Sequence, residues 1–186
     1  MKILLACEVS KITPELFAAR GHEVTTCDVY PSEGWKNHYQ GDVKDILGQN
    51  WDMMIAHPPC TYLCNSGVRW LYEKEGRWQQ LELACKFFNL LWSAPIPKIC
   101  IENPIPHKYA KEKIGKYTQI IQPWQFGHGE TKGTCLWLKN LPKLRPTNIV
   151  SGRLHLIHLE PPSPIRWMNR SRIYYGISSA MAEQWG

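Results

Sequence analysis

Apolar residues follow two rhythms along this chain. Over residues 2–7 nearly every position is apolar (Ile3, Leu4, Leu5, Ala6), the pattern of a strand buried on both faces. Thr13-Pro14-Glu15 then reads as an N-cap, a first-turn proline and a first-turn acid. A helix is therefore predicted to about Arg20, with Gly21 as its C′ residue. Residues 23–27 (Glu-Val-Thr-Thr-Cys) form a second strand that ends at Asp28. Residues 52–56 (Asp-Met-Met-Ile-Ala) are apolar for too short a distance to be a helix, so they read as a buried strand. Pro58 and Pro59 stop it.

From Glu73 to about Trp92 the rhythm changes to a helical one. Trp78, Leu81, Leu83, Ala84, Phe87, Phe88 and Leu91 make a broad apolar face, and Pro95 and Pro97 end it. Further strands are predicted over 98–101, 117–122 and 135–138. A short basic helix covers 107–113, closed by Gly115, and a last helix covers 179–185. Residues 31–40 read as a loop and 44–47 as a helical segment or turn. The proline-rich stretch 142–164 has no clear period and offers no second domain. Strands alternating with helices predict an α/β fold with a Rossmann-like opening unit, in one minimal domain over 1–186.

Composition narrows the partners. Lys plus Arg is 22 against 16 for Asp plus Glu, a formal charge of +6, which favours a polyanionic or phosphate-bearing partner. Nine tryptophans are many for this length; some belong to the core, but Trp also stacks on bases. The apolar start is too short for a secretory signal, and no apolar run is long enough to span a membrane. With seven cysteines and no such signal, the expectation is a cytoplasmic protein with reduced thiols and no membrane partner.

Chemistry gathers at strand ends. Cys60 follows Pro58-Pro59 at the carboxyl end of a strand, where open α/β sheets place their ligand crevices. A rigid Pro-Pro platform holds a thiol still; the same residues also suit a structural turn ahead of a small buried Cys. Cys60 and Cys64 form a C-x3-C pair with His57 nearby, but no second ligand pair follows, so no metal site is assigned. The strand over 98–101 leads into Glu102-Asn103-Pro104, and taking the two strands as neighbours puts a thiol and a carboxylate side by side. Asp28 either accepts hydrogen bonds from a ribose or caps its own turn.

These residues, in this order, resemble the DNA cytosine-C5 methyltransferases. Residues 52–67 resemble that family's proline-cysteine loop, and Ile101-Glu102-Asn103-Pro104 its Glu-Asn-Val motif. Asp28 and Gly41-Asp42-Val43 resemble the acids that hold the ribose and adenine of S-adenosylmethionine. The loop 127–134 sits where the family has its Gln-x-Arg-x-Arg segment, and Tyr175-Gly176-Ile177-Ser178 resembles its last motif. The whole chain is similar to small, phage-type members of this kind that lack a target recognition domain.

The resemblance implies a Rossmann-like S-adenosylmethionine-dependent methyltransferase fold and methyl transfer to carbon 5 of cytosine. Cys60 would be the nucleophile, Glu102 the N3 proton donor with its pKa raised by burial, Lys132 the cation at O2, and Asn103 the residue that fixes the cysteine loop by hydrogen bonds. It implies a cofactor site from Cys7, Glu8, Val9, Ser10, Asp28, Asp42, Val43, Pro58 and Ser178. The substrate would be DNA, single-stranded or weakly sequence-specific, or a cytosine mononucleotide. Two departures stand out. The loop after the first strand, Ala6-Cys7-Glu8-Val9-Ser10-Lys11, has no glycine, and a Thr131-Lys132 pair replaces an arginine-bearing segment.

Two other readings use the same residues. His57-Pro58-Pro59-Cys60 has the frame of an exocyclic amino-methyltransferase, with a thiol where those enzymes carry an aromatic ring. Alternatively, the missing glycines and the surplus of aromatics suit a non-catalytic nucleic-acid-binding protein on a degenerate methyltransferase fold.

Overall fold

A computed structural model describes residues 1–164 and 166–186. Seven strands form one sheet in the order β3-β2-β1-β4-β5-β7-β6. They are β1 (Lys2–Ala6), β2 (Glu23–Asp28), β3 (His38–Gln40), β4 (Met53–Ala56), β5 (Lys98–Pro104), β6 (Gln119–Ile121) and β7 (Thr134–Lys139). The first five are parallel; β7 runs antiparallel to both β5 and β6. The helices are α1 (Ile12–Ala18), α2 (Trp70–Glu73), α3 (Arg77–Trp92), α4 (Lys108–Ile114), α5 (Leu156–Leu159), α6 (Arg166–Ser171) and α7 (Tyr175–Trp185).

The continuous apolar runs are explained by burial on both faces. Leu4, Ala6, Met54, Ala56, Ile99 and Ile101 face a core shared with Leu81, Cys85, Phe88 and Leu91 of α3 and Ala110 and Ile114 of α4. Their neighbours Ile3, Leu5, Met53, Ile55 and Cys100 face the opposite core, closed by Phe17 of α1 and Ile177, Ala180, Met181 and Trp185 of α7. Successive strand side chains alternate faces, so a strand covered by helices on both sides must be apolar at every position.

Several expected boundaries move, each for a local reason. The first strand stops at Ala6, because Cys7 adopts a left-handed backbone with φ 57°. The helix after it starts at Ile12 with Lys11 at the N-cap; Thr13 is buried inside it and is not the cap. The long helix starts at Arg77 and not at Glu73, which instead ends the short α2: Lys74 is extended and Gly76 left-handed at φ 72°, which separates α2 from α3. On α3 the buried residues are Leu81, Cys85, Phe88 and Leu91, while Leu83 is exposed. The stretch read as a loop over 31–40 contains β3, an edge strand of three residues with Tyr39 and Gln40 exposed.

The most consequential shift is in β5. It does not end at Ile101 but continues to Pro104, because β7 goes on pairing with Glu102, Asn103 and Pro104 after β4 has stopped at Ala56. Glu102 is thus held by a ladder on one side and opens onto the β4 loop on the other. No helix among the described residues is long and apolar enough to cross a membrane.

Candidate active site

The site is built where the parallel strands end. Ala6 pairs with Cys27 on one side and Ala56 on the other, so the loops after β1, β2 and β4 leave the sheet along one rim. The left-handed turn at Cys7 takes the conformation a glycine would favour, and costs a residue with a Cβ about 1–2 kcal/mol. The chain then folds tightly: Glu8 N–H donates to Cys27 O (3.1 Å), and Ser10 N–H donates to Glu8 Oε1 (2.7 Å). Val9 O accepts from Glu33 N–H at 2.7 Å. Burial raises the Cys7 thiol, and the charges of Asp28, Asp42 and Glu8 push it further, which marks this corner as electronegative.

The acids read as cofactor ligands are partly committed to their own turns. Asp28 is half-buried at the end of β2, and its Oδ1 accepts from Tyr30 N–H at 2.9 Å. Asp42 is exposed; it accepts from Lys44 N–H at 3.0 Å and pairs with Lys44 Nζ at 3.1 Å, which lowers its pKa. Val43 and Pro58 are buried. Ser178 is fully buried on α7, its hydroxyl 2.9 Å from that of Thr13, and so ties α7 to α1.

The carboxyl ends of β4 and β5 hold a group of charges. His57 N–H continues the ladder to Ala6 O at 2.9 Å, which turns the ring between two carboxylates. Its Nδ1 lies 2.8 Å from Glu102 Oε2, and its Nε2 lies 3.7 Å from Glu8 Oε2. Burial works against a charged imidazole, but the Glu102 hydrogen bond and the charges of Glu8 and Glu102 outweigh it, and the His57 pKa is raised. Burial likewise pushes Glu102 up, and here the His57 hydrogen bond and charge, with Lys132, win, so its pKa is lowered. The expected upward shift of Glu102 is corrected: with His57 and Lys132 near it, its pKa is lowered. Glu8, with weaker support, is pushed up by burial.

Lys132 arrives from the loop before β7. Its Nζ donates to Arg172 O at 2.8 Å and Ser171 O at 3.4 Å, and its backbone N–H donates to Gln122 Oε1 at 3.0 Å. Burial lowers its pKa, against the opposing pull of Glu102 and Cys60. Glu102 and Lys132 line a small pocket with Thr134, Ile173, Tyr174 and Ile177.

Cys60 lies near enough for the Glu102 charge to raise its pKa, but its hydrogen bond with Cys64 is the largest cause, followed by burial. Cys64 is lowered to about 5 by that hydrogen bond, opposed by burial and aided by the Ser66 hydroxyl and the N–H groups of Gly67 and Ser66. The Cys64 hydrogen bond and burial thus both act against ionisation of Cys60 in the ligand-free protein.

Asn103 is also corrected. It is fully buried and its Nδ2 donates to Pro104 O at 2.6 Å, while its Oδ1 is buried with no hydrogen-bond partner. The cysteine loop is fixed instead by His107, which sequence reasoning missed. Its Nδ1 accepts from Ala110 N–H at 3.1 Å, so the ring hydrogen sits on Nε2 and donates to Tyr62 O at 3.0 Å. Backbone bonds add to this, from Asn65 N–H to Ile105 O (2.9 Å) and from His107 N–H to Leu63 O (3.0 Å). His57 was missed as a partner of Glu102 for want of register; the pairing of Ala56 with Ile101 would have revealed it.

An aromatic surface flanks the loop. Tyr72, Trp78 and Tyr109 meet edge-on, with centroids 5.1–6.4 Å apart. Trp70 is contacted by Arg69 and Lys74, and Tyr62 by Arg77, which also donates to Thr61 O.

No protein-family model matches the chain, and no curated protein matches it. Solved structures do. A prophage-encoded E. coli protein assigned as a DNA modification methyltransferase is 16% identical, with a TM-score of 0.50, over 81% of this chain and 52% of that one. The Entamoeba histolytica methyltransferase EhMeth is 14% identical (TM-score 0.49; 81% and 57% covered). The S. pombe Dnmt2 methyltransferase is 15% identical (TM-score 0.46; 77% and 51% covered). This chain spans about half the length of these structures. The strand order, with β7 antiparallel beside β5, and the first of these likenesses give the fold: the Rossmann-like fold of S-adenosylmethionine-dependent methyltransferases.

Proposed function

We propose that the chain, as one catalytic domain over 1–186, transfers a methyl group from S-adenosylmethionine to carbon 5 of cytosine through a covalent Cys60 adduct. The observation that carries this reading is that Glu102 and Lys132 line one pocket at the end of β5, beside the β4 loop that bears Cys60, which lies within reach of the Glu102 charge.

The rim beside β1 suits a sulfonium nucleoside. The acids Glu8, Asp28 and Asp42 set up the negative field felt at Cys7, which complements a cation. The loop of Cys7, Glu8, Val9 and Ser10, with Asp28 and Asp42, would hold the cofactor, and the buried Val43, Pro58 and Ser178 would support it from behind. When bound, the cofactor supplies an electrophilic methyl group.

The protein's own residues prepare the base. Cytosine carbon 5 is a poor nucleophile until a thiolate adds at carbon 6. Cys60 makes that bond. Negative charge then develops on N3 and O2. Glu102, receiving the His57 proton through the 2.8 Å contact, donates it to N3; Lys132 holds O2. Asn103 Oδ1, an acceptor whose burial without a partner costs about 1–3 kcal/mol, is available to a base amine. Loss of the carbon-5 proton and departure of Cys60 complete the cycle.

The substrate in this reading is DNA, as an accessible single strand with weak sequence preference, with a cytosine mononucleotide as the neighbouring choice. The rings of Trp70, Tyr72, Trp78 and Tyr109, with Arg69, Lys74 and Arg77 among them, suit stacking and phosphate contact. Mass spectrometry of nucleosides from single-stranded DNA, duplex DNA, RNA and dCMP, each incubated with protein and cofactor, tests it. Methylation at carbon 5 of cytosine supports the reading. Methylation at N4 supports an amino-methyltransferase, and cofactor binding with no mass gain on any substrate supports a binding protein.

A further inference from the structure

The segment between β7 and α7 shows no clear period in the sequence, yet it builds a second cavity beside the first pocket. Leu154 pairs back onto the loop before β7: its N–H donates to Gly129 O at 3.0 Å, and its carbonyl accepts from Thr131 N–H at 2.9 Å. Arg166 Nε then donates to Glu160 O at 2.7 Å, which holds the start of α6 against the end of α5. Lys132 Nζ holds the end of α6 through Ser171 O and Arg172 O. The cavity so formed is about 180 Å³. Ile173 and Tyr174 belong to its lining and to that of the Glu102–Lys132 pocket, so the two are neighbouring sites.

The polar lining decides what chemistry fits. Arg170 and Arg172 face Glu130 and Glu160 across the cavity lining, two positive side chains against two negative ones. A free phosphate gains little where the charges cancel. A neutral ring that carries both donors and acceptors can use both signs, and Ile157 and Ile173 give apolar surface for its faces. Most of these polar groups have a partner. Tyr174 O–H donates to Glu130 Oε2, Asn169 Nδ2 donates to Glu160 Oε1 and Arg172 Nη2 donates to Glu33 Oε1, each at 2.6 Å. Arg170 differs. Among the described residues it joins no ion pair, and its Nε is buried without a hydrogen-bond partner. Its charge also acts against that of Lys132. A guanidinium left this way in a cavity wall is costly, and a ligand that accepts from it accounts for the cost.

We propose that this cavity takes the base next to the target cytosine in a single strand and favours guanine, with Arg170 donating to O6 and N7 and Glu130 accepting from N1–H and the N2 amine. Guanine presents O6 and N7 together, the pair that a guanidinium fork matches. Adenine puts an amine where guanine has O6, so a donor would meet a donor, and the pyrimidines have no N7. The inference rests on the reading of the chain as a cytosine methyltransferase and deepens it: the substrate is a strand of at least two nucleotides, because a mononucleotide leaves Arg170 unpaired.

Binding tests this without turnover. Labelled oligothymidine strands with one cytosine, flanked on either side in turn by guanine, adenine or thymine, are titrated with the full chain by fluorescence anisotropy. A guanine on one side of the cytosine is expected to tighten wild-type binding about tenfold or more over thymine. Arg170→Gln is expected to bring that ratio close to one, and Arg170→Lys, which keeps the charge but not the fork, to lose most of it. The ratio is taken within each protein, so a general loss of affinity or of folded protein does not imitate the effect. Wild-type protein with no preference, or with a preference for adenine or a pyrimidine, overturns the inference. So do Arg170 variants that weaken all strands alike and keep the ratio, and so does wild-type protein that binds no strand. Rates of methylation of the same strands separate this inference from the reading it rests on. Carbon-5 methylation at equal kcat/KM whatever the neighbour overturns the guanine site and leaves the methyltransferase. An Arg170-dependent guanine preference in binding with no methylated cytosine sinks the methyltransferase reading and leaves the guanine site.

Discussion

His57 Nδ1 and Glu102 Oε2 are 2.8 Å apart at the ends of adjacent strands, within hydrogen-bond distance. Each shift has the sign of an ion pair: His57 is raised and Glu102 lowered, although burial opposes both charges. Stability should follow. The His57 share is fully present below its unfolded pKa of about 6.5 and is lost as pH rises through its higher folded value. The Glu102 share is present above about 4.3 and is lost as pH falls through its lower folded value. The pair therefore supports the fold most between about pH 4.3 and about pH 6.5. Urea midpoints of wild type and Glu102→Gln across pH should differ most in that window. A difference that does not vary with pH would mean that the pair does not exist in solution.

Glu102→Gln should slow methyl transfer by about 10²–10⁴-fold while the protein remains folded, because the amide cannot give up a proton to N3. His57→Gln keeps a hydrogen-bond donor beside Glu102 but removes the proton store. Its kcat at neutral pH should fall, and recover towards acidic pH as Glu102 is protonated directly from solvent. Steady-state rates across pH for both variants check this. A His57→Gln variant with an unchanged profile would leave His57 a packing role only.

The glycine-free loop after β1 works because Cys7 bears the left-handed turn itself, at φ 57°. Cys7→Gly should be neutral or stabilising. Cys7→Val, β-branched at a positive φ, should cost about 1–2 kcal/mol or more and weaken cofactor binding. Urea unfolding and cofactor titration of the two variants measure it; equal stability would mean that the turn relaxes in solution.

Much of this was legible in the chain and some was not. The first β-α-β unit and the neighbouring strands bearing Cys60 and Glu102 followed from apolar runs and their punctuation. What escaped depends on pairing rather than pattern. Glu102 lies within β5 only because β7 pairs beyond the point where β4 stops, and nothing in residues 98–104 records that partner. β3 is a polar edge of three residues with no alternation to read. Asn103 was expected to hold the cysteine loop, but its amide is used by its own neighbour, and His107, whose ring caps α4, does the holding. The turn that brings Cys64 N–H onto Cys60 O is likewise not revealed by a C-x3-C spacing.

If the substrate is a strand, binding should weaken steeply between low and moderate salt, as several phosphates shed counterions together; dCMP should show a shallow dependence. Tyr72, 68% exposed at the edge of the ring cluster, should lose about 1–3 kcal/mol of strand affinity on Tyr72→Ala if a base stacks there. Fluorescence anisotropy with labelled oligonucleotides at several salt concentrations reads both effects. Equal rates on duplex DNA at one defined sequence and on single strands would contradict the weakly specific, single-strand reading, since flipping a base from a duplex costs a few kcal/mol that a single strand does not require.

The central claim is the covalent bond between Cys60 and the base. Wild-type protein incubated with S-adenosylmethionine and a single strand carrying 5-fluorocytosine should accumulate a stable protein–DNA species, because fluorine at carbon 5 blocks the final elimination. Tandem mass spectrometry should place the modification on Cys60, and Cys60→Ser should give neither adduct nor methylated product while binding cofactor within a few fold of wild type. Methylated cytosine formed by Cys60→Ser at most of the wild-type rate, with no adduct in the wild type, would contradict the carbon-5 mechanism.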